Sequence, residues 1–345
     1  MGDRVTSLLI TGGTGSLGRA LVKLVLAEGV YERVVVFSRD EFKQAMMAEE
    51  VGDARVRFFL GDVRDPERLR RALVGVSDVV HAAALKWVAS GAYNTDELFR
   101  TNFDGTRHVV DAAAERGVGR VLLIASDKGC HAANAYGASK FAAESYAVGA
   151  NAFTFPRGCR VGCARYGNVL WSRGSVAYRF DATSMTGSFP YRVTDRRMTR
   201  FGMRLSEAAA FVLTSLAALR GGEVFVPRLP SWRIVDVASA DYHAHRRPSE
   251  VTPIVVTGLR GGGEKLHETL VTEEESRRTL WVRGLNRWVI EPESRSWARP
   301  GWEQEEHEPV PEGWSYTSEK NPDFMSEAEL MDTFLTEMPA PLAAV

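Results

Sequence analysis

The sequence has little that would place the protein in a membrane or on nucleic acid. It contains no stretch of about 18 uncharged apolar residues, the length that a membrane-spanning helix requires, and its first residues lead into a predicted strand without an apolar signal segment. Its 43 Lys and Arg residues nearly balance 44 Asp and Glu residues, for a net charge of −1. We therefore expect a soluble, cytoplasmic protein with no membrane and no nucleic-acid partner.

Cysteine is also scarce, and histidine forms no metal-binding pattern. The three cysteines are odd in number, and Cys159 and Cys163 fall on one face of a predicted strand, so we expect reduced thiols rather than a disulfide. His243 and His245 are expected on a strand or loop without acidic or thiol partners. The sequence therefore predicts no metal site.

The chain does contain a regular alternation of apolar strands and helices. Strands are predicted near residues 5–11, 33–37, 56–60, 78–82 and 120–125, and helices near 17–28, 42–50, 66–73, 96–116 and 135–149. This alternation predicts an α/β fold with a Rossmann-type, doubly wound parallel sheet. A helix near 206–218 and a strand near 223–226 resume the pattern later in the chain.

The length of 345 residues exceeds that of a usual single core, so we expect a smaller C-terminal substrate lobe. The dinucleotide-binding domain is predicted to span residues 1–166 with a return segment at about 206–250. Residues 167–205 and 251–345 are assigned to the lobe and a C-terminal extension. Beyond about residue 291 the chain is rich in Pro, Glu and Trp, which predicts an ordered tail with few regular elements and a short helix near 327–336.

A glycine-rich turn joins the first predicted strand to the first predicted helix. The segment reads Thr11-Gly12-Gly13-Thr14-Gly15-Ser16-Leu17-Gly18. Glycines in this order permit a tight turn, close approach of backbone N–H groups to a pyrophosphate and close packing of helix on strand. The segment therefore predicts a dinucleotide site, in preference to an ordinary glycine-rich hairpin.

The end of the second predicted strand bears on which nicotinamide cofactor binds. An NAD site usually carries an acidic residue here for the ribose 2′-hydroxyl, whereas this chain has Ser38 and Arg39, with Lys43 nearby. A small residue followed by arginine suits a 2′-phosphate, so we favour NADP. Asp40 and Glu41 keep NAD open, and a solvated charge cluster is the alternative for this segment.

Polar and small residues follow three other predicted strands, at the edge where doubly wound sheets bind their ligands. Asp62 is placed to face the adenine side, whereas Ala82, Ala83 and Ala84, and the segment Ser126-Asp127-Lys128, border the nicotinamide region. Each could instead be a polar strand terminus.

Tyr136 and Lys140 are four residues apart on a predicted helix, so they share a face. A nearby cation lowers a phenol pKa from about 10 by roughly 1 to 3 units, which would make Tyr136 a base for oxidising a sugar alcohol. Asp127 and Lys128 add an acid and an amine. The combination indicates an oxidoreductase that also eliminates water, although an exposed Tyr–Lys pair alone is a weak signal.

These segments together resemble the extended short-chain dehydrogenases/reductases, and within them the inverting UDP-N-acetylglucosamine 4,6-dehydratases of the polysaccharide biosynthesis family. The resemblance covers nearly the whole length. It includes Thr11 to Gly18, Ser38 to Glu41, Gly61 to Asp65, His81 to Lys86, Ser126 to Lys128, Tyr136 to Lys140, Arg165 to Asn168, Ser172 to Val176, Arg197 to Phe201 and Gly263 to Glu268.

The resemblance implies a reaction with four steps. Tyr136 deprotonates the C4 hydroxyl as NADP⁺ takes the C4 hydride, with Ser126 hydrogen-bonded to the C4 oxygen. Lys128 then removes the C5 proton, which requires its pKa to fall from about 10.4 toward roughly 7 to 8 through burial and the nearby Lys140. Asp127, its pKa raised by desolvation, protonates the departing C6 hydroxyl. Hydride returns to C6, and C5 is reprotonated with inversion.

The resemblance also implies the binding residues and the partners. Asn168, Arg173, Arg260 and Glu264 would contact the diphosphate or uridine of a UDP-hexosamine, with Lys86 and Thr194 near the hexosamine; a surface ion pair is the alternative for Arg260 and Glu264. Related enzymes form homo-oligomers, either dimers or hexamers.

The predicted cofactor contacts are Gly12, Thr14, Gly15, Ser16, Leu17, Gly18, Ser38, Arg39, Lys43, Asp62, Val63, Ala82, Ala83, Ala84, Lys86, Asn102, Tyr136 and Lys140. Val176 and Met198 complete the predicted substrate contacts.

Three alternatives stay open at this stage. Trp171 and Tyr178 add aromatic bulk where relatives of this kind have smaller residues, and Arg260-Gly-Gly-Gly-Glu264 is one residue longer than expected, so the chain could retain the C5 configuration or stop at a 5,6-unsaturated sugar. A C4 epimerase is disfavoured because it has no use for Asp127 and Lys128. A catalytically silent NADP-binding regulatory protein is the alternative from another class.

Overall fold

The fold is built around one large twisted sheet. The computed structural model describes residues 6–87, 93–245, 250–294 and 296–337. Six parallel strands form the first part of this sheet in the order β3-β2-β1-β4-β5-β6, which is the doubly wound arrangement that the sequence predicts. They are β1 (Ser7–Thr11), β2 (Arg33–Ser38), β3 (Val56–Leu60), β4 (Asp78–His81), β5 (Arg120–Ile124) and β6 (Arg160–Ala164).

The central strands form because their apolar residues are covered on both faces. Leu8, Leu9 and Ile10 of β1 have no exposed surface, and neither do Val34 and Val36 of β2. Burial on both faces is the reason parallel strands read as continuous apolar runs. The Rossmann-type fold is therefore confirmed, and the predicted strands fall within two residues of the observed ones.

Helices cover both faces of this sheet, and several begin at a side chain that accepts a backbone N–H. Asp40, Asp65 and Asn134 accept hydrogen bonds from the first turns of the helices that follow them. The helices are α1 (Ser16–Glu28), α2 (Glu41–Val51), α3 (Pro66–Ala72), α4 (Thr95–Phe99), α5 (Gly105–Glu115), α6 (Ala135–Gly149), α7 (Asn151–Thr154), α8 (Val176–Thr186), α9 (Leu205–Ala218), α10 (Ile234–His245) and α11 (Glu327–Glu337).

The C-terminal half of the chain extends the main sheet beyond the predicted Rossmann strands. Strand β10 (Val224–Pro227) runs parallel to β6, and three antiparallel strands follow it: β15 (Arg287–Ile290), β14 (Thr279–Val282) and β16 (His307–Pro309). The sequence assigned residues 251–345 to the substrate lobe and its extension. Residues 279–309 nevertheless complete the main sheet. Beyond residue 291 the described part of the tail has few regular elements and includes helix α11 (Glu327–Glu337), as predicted.

Aromatic packing explains why this tail is ordered. The ring of Trp288 lies 4.9 Å from that of Trp281 and 4.4 Å from that of Tyr316, and Trp314 stacks on Tyr316. Such pairs add stabilisation beyond the burial of their area.

A second apolar core lies in the lobe that follows β6. Trp232, Tyr191 and Phe334 are almost fully buried there, between α8, α10 and α11. The small sheets of the lobe are β7 (Asn168–Val169), β9 (Thr199–Met203) and β11 (Ser231–Arg233); β8 (Tyr191–Val193) and β12 (Ile254–Val256); and β13 (Thr269–Val271) and β17 (Tyr316–Thr317).

Within the described ranges, no helix combines the length and the apolar character needed to cross a membrane. The three cysteines are free and buried, in agreement with the expectation of reduced thiols. The histidine prediction is wrong: His243 and His245 lie in helix α10 rather than on a strand, and both have acidic neighbours, Glu327 for His243 and Asp181 for His245.

One buried ion-pair network ties the C-terminal part of the chain to the Rossmann sheet. Arg165, at the end of β6, contacts the carboxylates of Glu144 on α6 and Glu275, and it donates to the carbonyl of Leu270 at 2.8 Å. The arginine side chain is only 4% exposed. A guanidinium can satisfy two carboxylates and a carbonyl at once because its five N–H donors form a planar fork.

We expect Arg165→Ala to lower the free energy of unfolding by about 3 to 5 kcal/mol, because it removes the guanidinium that both buried carboxylates share and leaves Glu275 with only Arg278, 3.8 Å away. Urea denaturation followed by circular dichroism measures the change. Arg277→Ala is the matched control, since its ion pair with Glu312 is largely exposed, and it should change stability by less than about 1 kcal/mol. Equal effects of the two substitutions would contradict a structural role for the network.

Candidate active site

The glycines of the turn between β1 and α1 let it pack closely against the neighbouring backbone. Gly12 has a φ of +65°, and a Cβ at this position would lie 2.9 Å from the backbone of Ala83. A Cβ at Gly18 would lie 2.4 Å from the carbonyl oxygen of Gly13, so only glycine lets α1 pack this closely on the turn. Thr14, Gly15, Ser16 and Leu17 line the same cleft, as predicted for cofactor contacts.

At the end of β2, the residues predicted to contact the ribose differ in their exposure and in their partners. Ser38 is buried and accepts a hydrogen bond from Gln44 at 3.0 Å. Lys43 forms an ion pair with Asp40, the residue that caps α2. Arg39 is different: its side chain is 56% exposed and its guanidinium lies 3.8 Å from Asp62. Arg39 is therefore the better placed of the two predicted cations to meet a phosphate.

The neighbouring strand ends hold the other predicted cofactor residues. Asp62, Val63 and the three alanines 82–84 line the cleft. Asn102 does not appear on the wall of the cleft; it donates from Nδ2 to the Leu85 carbonyl at 3.0 Å and to Ser139 Oγ at 2.9 Å. Asn102 thus fixes the segment after β4 against α6, which supports the site from behind.

The acid, amine and phenol predicted for catalysis meet at the end of β5. Lys128 Nζ donates to Asp127 Oδ2 at 2.8 Å, and the Ser126 hydroxyl donates to Asp127 Oδ1 at 3.0 Å. Tyr136, on the first turn of α6, shares a hydrogen bond with Ser126. Asp127 has no exposed surface, whereas the side chain of Lys128 is 25% exposed toward the cleft.

The structure does not support the predicted lowering of the Tyr136 pKa. Burial raises the pKa of Tyr136 above its usual value, opposed by the charge of Lys128 and a hydrogen bond with Ser126. Lys140 donates instead to the carbonyl of Ile124 at 2.6 Å, and burial lowers the pKa of Lys140 to about 8. Desolvation therefore outweighs the attraction between phenolate and ammonium that the helix spacing suggested.

The direction of the Asp127 pKa shift agrees with the prediction, whereas the direction of the Lys128 pKa shift contradicts it. Burial raises the pKa of Asp127, as predicted, against the attraction of Lys128. Burial alone would lower the pKa of Lys128, but the carboxylates of Asp127 and Glu268 outweigh it, so the pKa of Lys128 is raised. The prediction of a lowered Lys128 pKa is wrong because it counted burial and the charge of Lys140 but left out the carboxylates of Asp127 and Glu268.

Sequence reasoning missed a second set of charges around Lys128. Glu268 lies 3.4 Å from Lys128 Nζ, 3.7 Å from Arg200 Nε and 2.8 Å from Lys265 Nζ. Lys265 also donates to the backbone carbonyl of Cys130 at 2.9 Å. Glu268 and Lys265 belong to the segment Gly263–Glu268, which carried part of the family resemblance. That resemblance was the only sequence signal for these two residues, and it did not indicate what they do.

A loop from the lobe crosses the glycine-rich turn. The backbone N–H of Arg173 donates to Ser16 Oγ at 3.0 Å, and Lys86 Nζ donates to the Arg173 carbonyl at 2.6 Å. Burial and the charge of Arg173 lower the pKa of Lys86. We call the contacts of Lys86, Arg173 and Ser16 the loop clasp.

The other predicted substrate residues are distributed over the lobe wall. Asn168 Oδ1 accepts from Lys128 Nζ at 2.8 Å and so belongs with the acid–amine pair. Val176, Thr194 and Met198 line the cleft, and the Thr194 hydroxyl donates to the Met198 sulfur at 3.5 Å.

Arg260 and Glu264 form an ion pair with each other, which was the alternative to their predicted contact with the nucleotide. Arg260 Nε donates to Glu264 Oε1 at 3.0 Å, and the backbone N–H of Arg260 donates to Oε2 at 2.9 Å. Both residues nevertheless line the cleft, and the arginine side chain is 60% exposed. The three intervening glycines let the chain fold back so that the pair can form.

A single cleft of about 1270 Å³ thus contains the glycine-rich turn, the acid–amine pair and the lobe residues. Its size exceeds the usual 300 to 1,000 Å³ of small-molecule pockets, which suits two ligands side by side. The arrangement offers a proton acceptor at Tyr136 and a hydrogen-bonded acid–amine pair next to a dinucleotide site.

Comparison with known proteins agrees with this geometry. A profile of the family described as "Polysaccharide biosynthesis protein" matches residues 8–286. A UDP-N-acetylglucosamine 4,6-dehydratase (inverting) from Campylobacter jejuni subsp. jejuni serotype O:2 is 38% identical over 331 residues, which cover 94% of this chain and 96% of that protein. A UDP-glucose 4-epimerase from Rickettsia rickettsii is 35% identical over 297 residues, 85% of each chain.

Among solved structures, Pen from Bacillus thuringiensis superposes with a TM-score of 0.86 at 29% identity, covering 98% of this chain and 99% of Pen. The similarity therefore extends over the parallel sheet, the lobe and the antiparallel extension together. With the profile match over most of the length, these similarities confirm the resemblance that the motifs indicated: the chain belongs to the polysaccharide biosynthesis protein family.

Proposed function

We propose that the chain is an NADP-dependent nucleotide-sugar 4,6-dehydratase that converts UDP-N-acetylglucosamine, or a close NDP-hexose, to a 4-keto-6-deoxy sugar with inversion at C5. The observation that carries the proposal is the hydrogen-bonded pair of Asp127 and Lys128, 2.8 Å apart, in the cleft that contains the dinucleotide turn. An enzyme that only transfers hydride needs Tyr136 and the turn. The acid–amine pair adds the means to eliminate water.

The turn fits a nicotinamide dinucleotide, since Gly12, Thr14, Gly15 and Ser16 line the cleft at the start of helix α1, where backbone N–H groups suit a pyrophosphate. Bound there, the cofactor would supply the hydride chemistry, accepting hydride from C4 and returning it to C6. Arg39, with its exposed guanidinium, supports NADP over NAD.

Tyr136 would accept the proton of the C4 hydroxyl. It can do so only as the phenolate, after its own proton has been released to solvent. Burial raises the pKa of Tyr136, whereas the charge of Lys128 and the hydrogen bond with Ser126 favour the phenolate. Ser126 can hold the C4 oxygen beside the phenol because its hydroxyl already lies between Tyr136 and Asp127. Oxidation at C4 then acidifies the C5 hydrogen, which prepares the elimination.

Asp127 and Lys128 would carry the elimination as one unit. Moving one proton along their 2.8 Å hydrogen bond converts the ion pair into a carboxylic acid beside a neutral amine. That form needs no proton from solvent, and burial favours it because both of its members are uncharged. The amine can then take the C5 proton, and the acid can give its proton to the departing C6 hydroxyl, which leaves as water.

The charges around Asp127 and Lys128 would act in opposite directions on the proton that the two residues exchange. Glu268 favours the protonated amine and Arg200 opposes it, as their effects on the Lys128 pKa show. Asn168, whose side-chain oxygen accepts from Lys128 at 2.8 Å, directs the amine. We assign Asn168 to the positioning of the amine as well as to the predicted contact with the nucleotide.

The lobe would bind the UDP-hexosamine. Arg173 and Arg260 line the cleft and offer guanidinium groups to a diphosphate, with Lys86 and Thr194 at the sugar. The domain assignment, residues 1–166 with a return segment for the cofactor and the rest for the sugar nucleotide, is part of this proposal. So are the cytoplasm as location and a homo-oligomer as assembly.

The similarity to a UDP-glucose 4-epimerase raises the alternative of C4 epimerisation. An epimerase needs a base at C4 and a returning hydride but no acid at C6. A buried Asp127 hydrogen-bonded to an amine would have no task in such a reaction. The acid–amine pair therefore favours dehydration.

Incubation with UDP-N-acetylglucosamine in D₂O is the most direct test of the proposal. We expect a product lighter by one water, with deuterium at C5 and the coupling pattern of the inverted configuration, as measured by mass spectrometry and NMR. Lys128→Ala should lower turnover by about 10²- to 10⁴-fold, the usual contribution of general acid–base catalysis, with cofactor affinity unchanged. Lys320→Ala, at an exposed lysine, is the control.

Each alternative gives a different result in this experiment. Retention at C5 changes the coupling pattern, a 5,6-unsaturated product shows olefinic signals, and an epimerase yields an isomer of unchanged mass. A regulatory protein binds NADP but leaves every nucleotide sugar intact. Any of these results contradicts the proposed reaction.

Asp127→Asn should separate oxidation from elimination. The amide keeps the shape of the carboxyl group but cannot give a proton to the C6 hydroxyl, so we expect C4 oxidation to proceed once and water loss to slow by about 10²- to 10⁴-fold. Reduced cofactor should then accumulate up to one equivalent, visible in its absorbance after rapid mixing with substrate. Dehydration at the wild-type rate would exclude Asp127 as the acid.

Arg39→Ala should weaken NADP binding by about 1.5 to 3 kcal/mol, the typical value of a hydrogen bond to a charged group. NAD binding should change little, since NAD lacks the 2′-phosphate. Calorimetric titration of both cofactors against both proteins measures the difference. The assignment to NADP fails if the wild-type protein prefers NAD, or if the substitution weakens both cofactors equally.

A further inference from the structure

A cluster of three possible metal ligands lies in the lobe, outside the cleft. Asp181 is on α8, and Asp241 and His245 are on α10. One carboxylate oxygen of each aspartate and a ring nitrogen of His245 all lie within 4.8 Å of one another. None of these three residues lines the active-site cleft.

Two oxygens of this cluster are buried without a hydrogen bond. Asp241 has no exposed surface, and its Oδ1 lacks a hydrogen-bond partner among the described residues. The Oδ1 of Asp181 is likewise buried and without a partner there. Buried polar atoms are nearly always satisfied in native proteins, so two such oxygens facing one space indicate a missing positive ligand.

Neighbouring side chains hold Asp241 in the orientation that leaves Oδ1 free. The hydroxyls of Ser184 and Tyr191 both donate to Asp241 Oδ2, at 2.6 Å each. This is the pattern by which metal-binding carboxylates are usually oriented, with one oxygen hydrogen-bonded to the surroundings and the other directed at the ion.

The imidazole of His245 is oriented in a corresponding way. Its Nδ1 lies 2.9 Å from the backbone carbonyl of Asp241, and donation to that carbonyl leaves Nε2 with a free lone pair. Nε2 lies 3.4 Å from Asp181 Oδ1, and Nδ1 lies 3.9 Å from Asp241 Oδ1. The ring thus makes no short contact with the free oxygen of Asp241, whereas an ion about 2.0 to 2.2 Å from each ligand atom would bridge the group.

The charges of the cluster agree with a bound cation. A divalent ion would neutralise both carboxylates at once.

We propose that Asp181, Asp241 and His245 bind a divalent transition-metal ion that joins α8 to the C-terminal end of α10. One imidazole and two carboxylates suit Zn²⁺ and related ions, with a fourth position for water. This revises the sequence prediction of no metal site. The ion has a structural role, because α8 carries Arg179 and Phe180 of the cleft wall on another face, and fixing α8 fixes that wall. The proposal is independent of the reaction assigned to the cleft.

Calorimetric titration with Zn²⁺ tests the site, using full-length protein without an affinity tag after treatment with a chelator. The wild-type protein should bind one equivalent, and added Zn²⁺ should raise its melting temperature. His245→Gln and Asp181→Asn should each bind Zn²⁺ roughly 100-fold more weakly or worse, since even outer-shell substitutions cost 10- to 100-fold. His243→Gln is the matched control, because it removes a histidine of the same helix whose partner is Glu327.

Anomalous diffraction from wild-type crystals grown with Zn²⁺ provides a second measurement that does not depend on the folding of any variant. We expect a peak between Asp181, Asp241 and His245. The proposal is overturned if the peak lies elsewhere or is absent. It is also overturned if folded His245→Gln and Asp181→Asn proteins bind Zn²⁺ as tightly as His243→Gln does.

Discussion

The contact between Asp127 and Lys128 is the interaction on which the rest of the site depends. A carboxylate without exposed surface is costly to bury, and it is tolerated here because an amine lies 2.8 Å away. The ammonium of Lys128 also lies beside the carboxylate of Glu268, and the charge of Glu268 is in turn compensated by Arg200 and Lys265. This chain of compensating charges connects the end of β5 to the lobe. The two parts of the protein are therefore joined at the point where the chemistry is proposed to occur.

Local sequence signals predicted the parts of the molecule that are determined locally. The buried strands β1, β2, β4 and β5 contain continuous apolar runs, and the glycines of the turn can be placed because close packing excludes a Cβ at Gly12 and Gly18. The short strands of the antiparallel extension have three or four residues each, too few for a periodicity. Aromatic packing between residues far apart in the sequence, such as Trp288 and Tyr316, orders the tail, and such contacts leave no periodic pattern in the sequence.

The candidate site could be predicted by residue but not by charge state. Helix spacing placed Tyr136 and Lys140 on one helix, yet Lys140 donates to the Ile124 carbonyl and burial dominates both pKa values. Lys265 contacts the backbone carbonyl of Asp127 from 138 positions along the chain, and no local pattern encodes such a contact. His243 and His245 were misplaced because their alternate spacing suggested a strand, whereas helix α10 brings His245 to Asp181 of another helix.

The loop clasp has a consequence for the order in which the two ligands come and go. Because Arg173 belongs to the lobe but donates to Ser16 of the glycine-rich turn, a dinucleotide bound in the turn would be in contact with that loop. A reaction that returns its hydride within each cycle has no need to exchange the coenzyme. The clasp thus suits an enzyme that keeps one coenzyme molecule through many turnovers while sugar nucleotides pass in and out, more like a prosthetic group than a co-substrate.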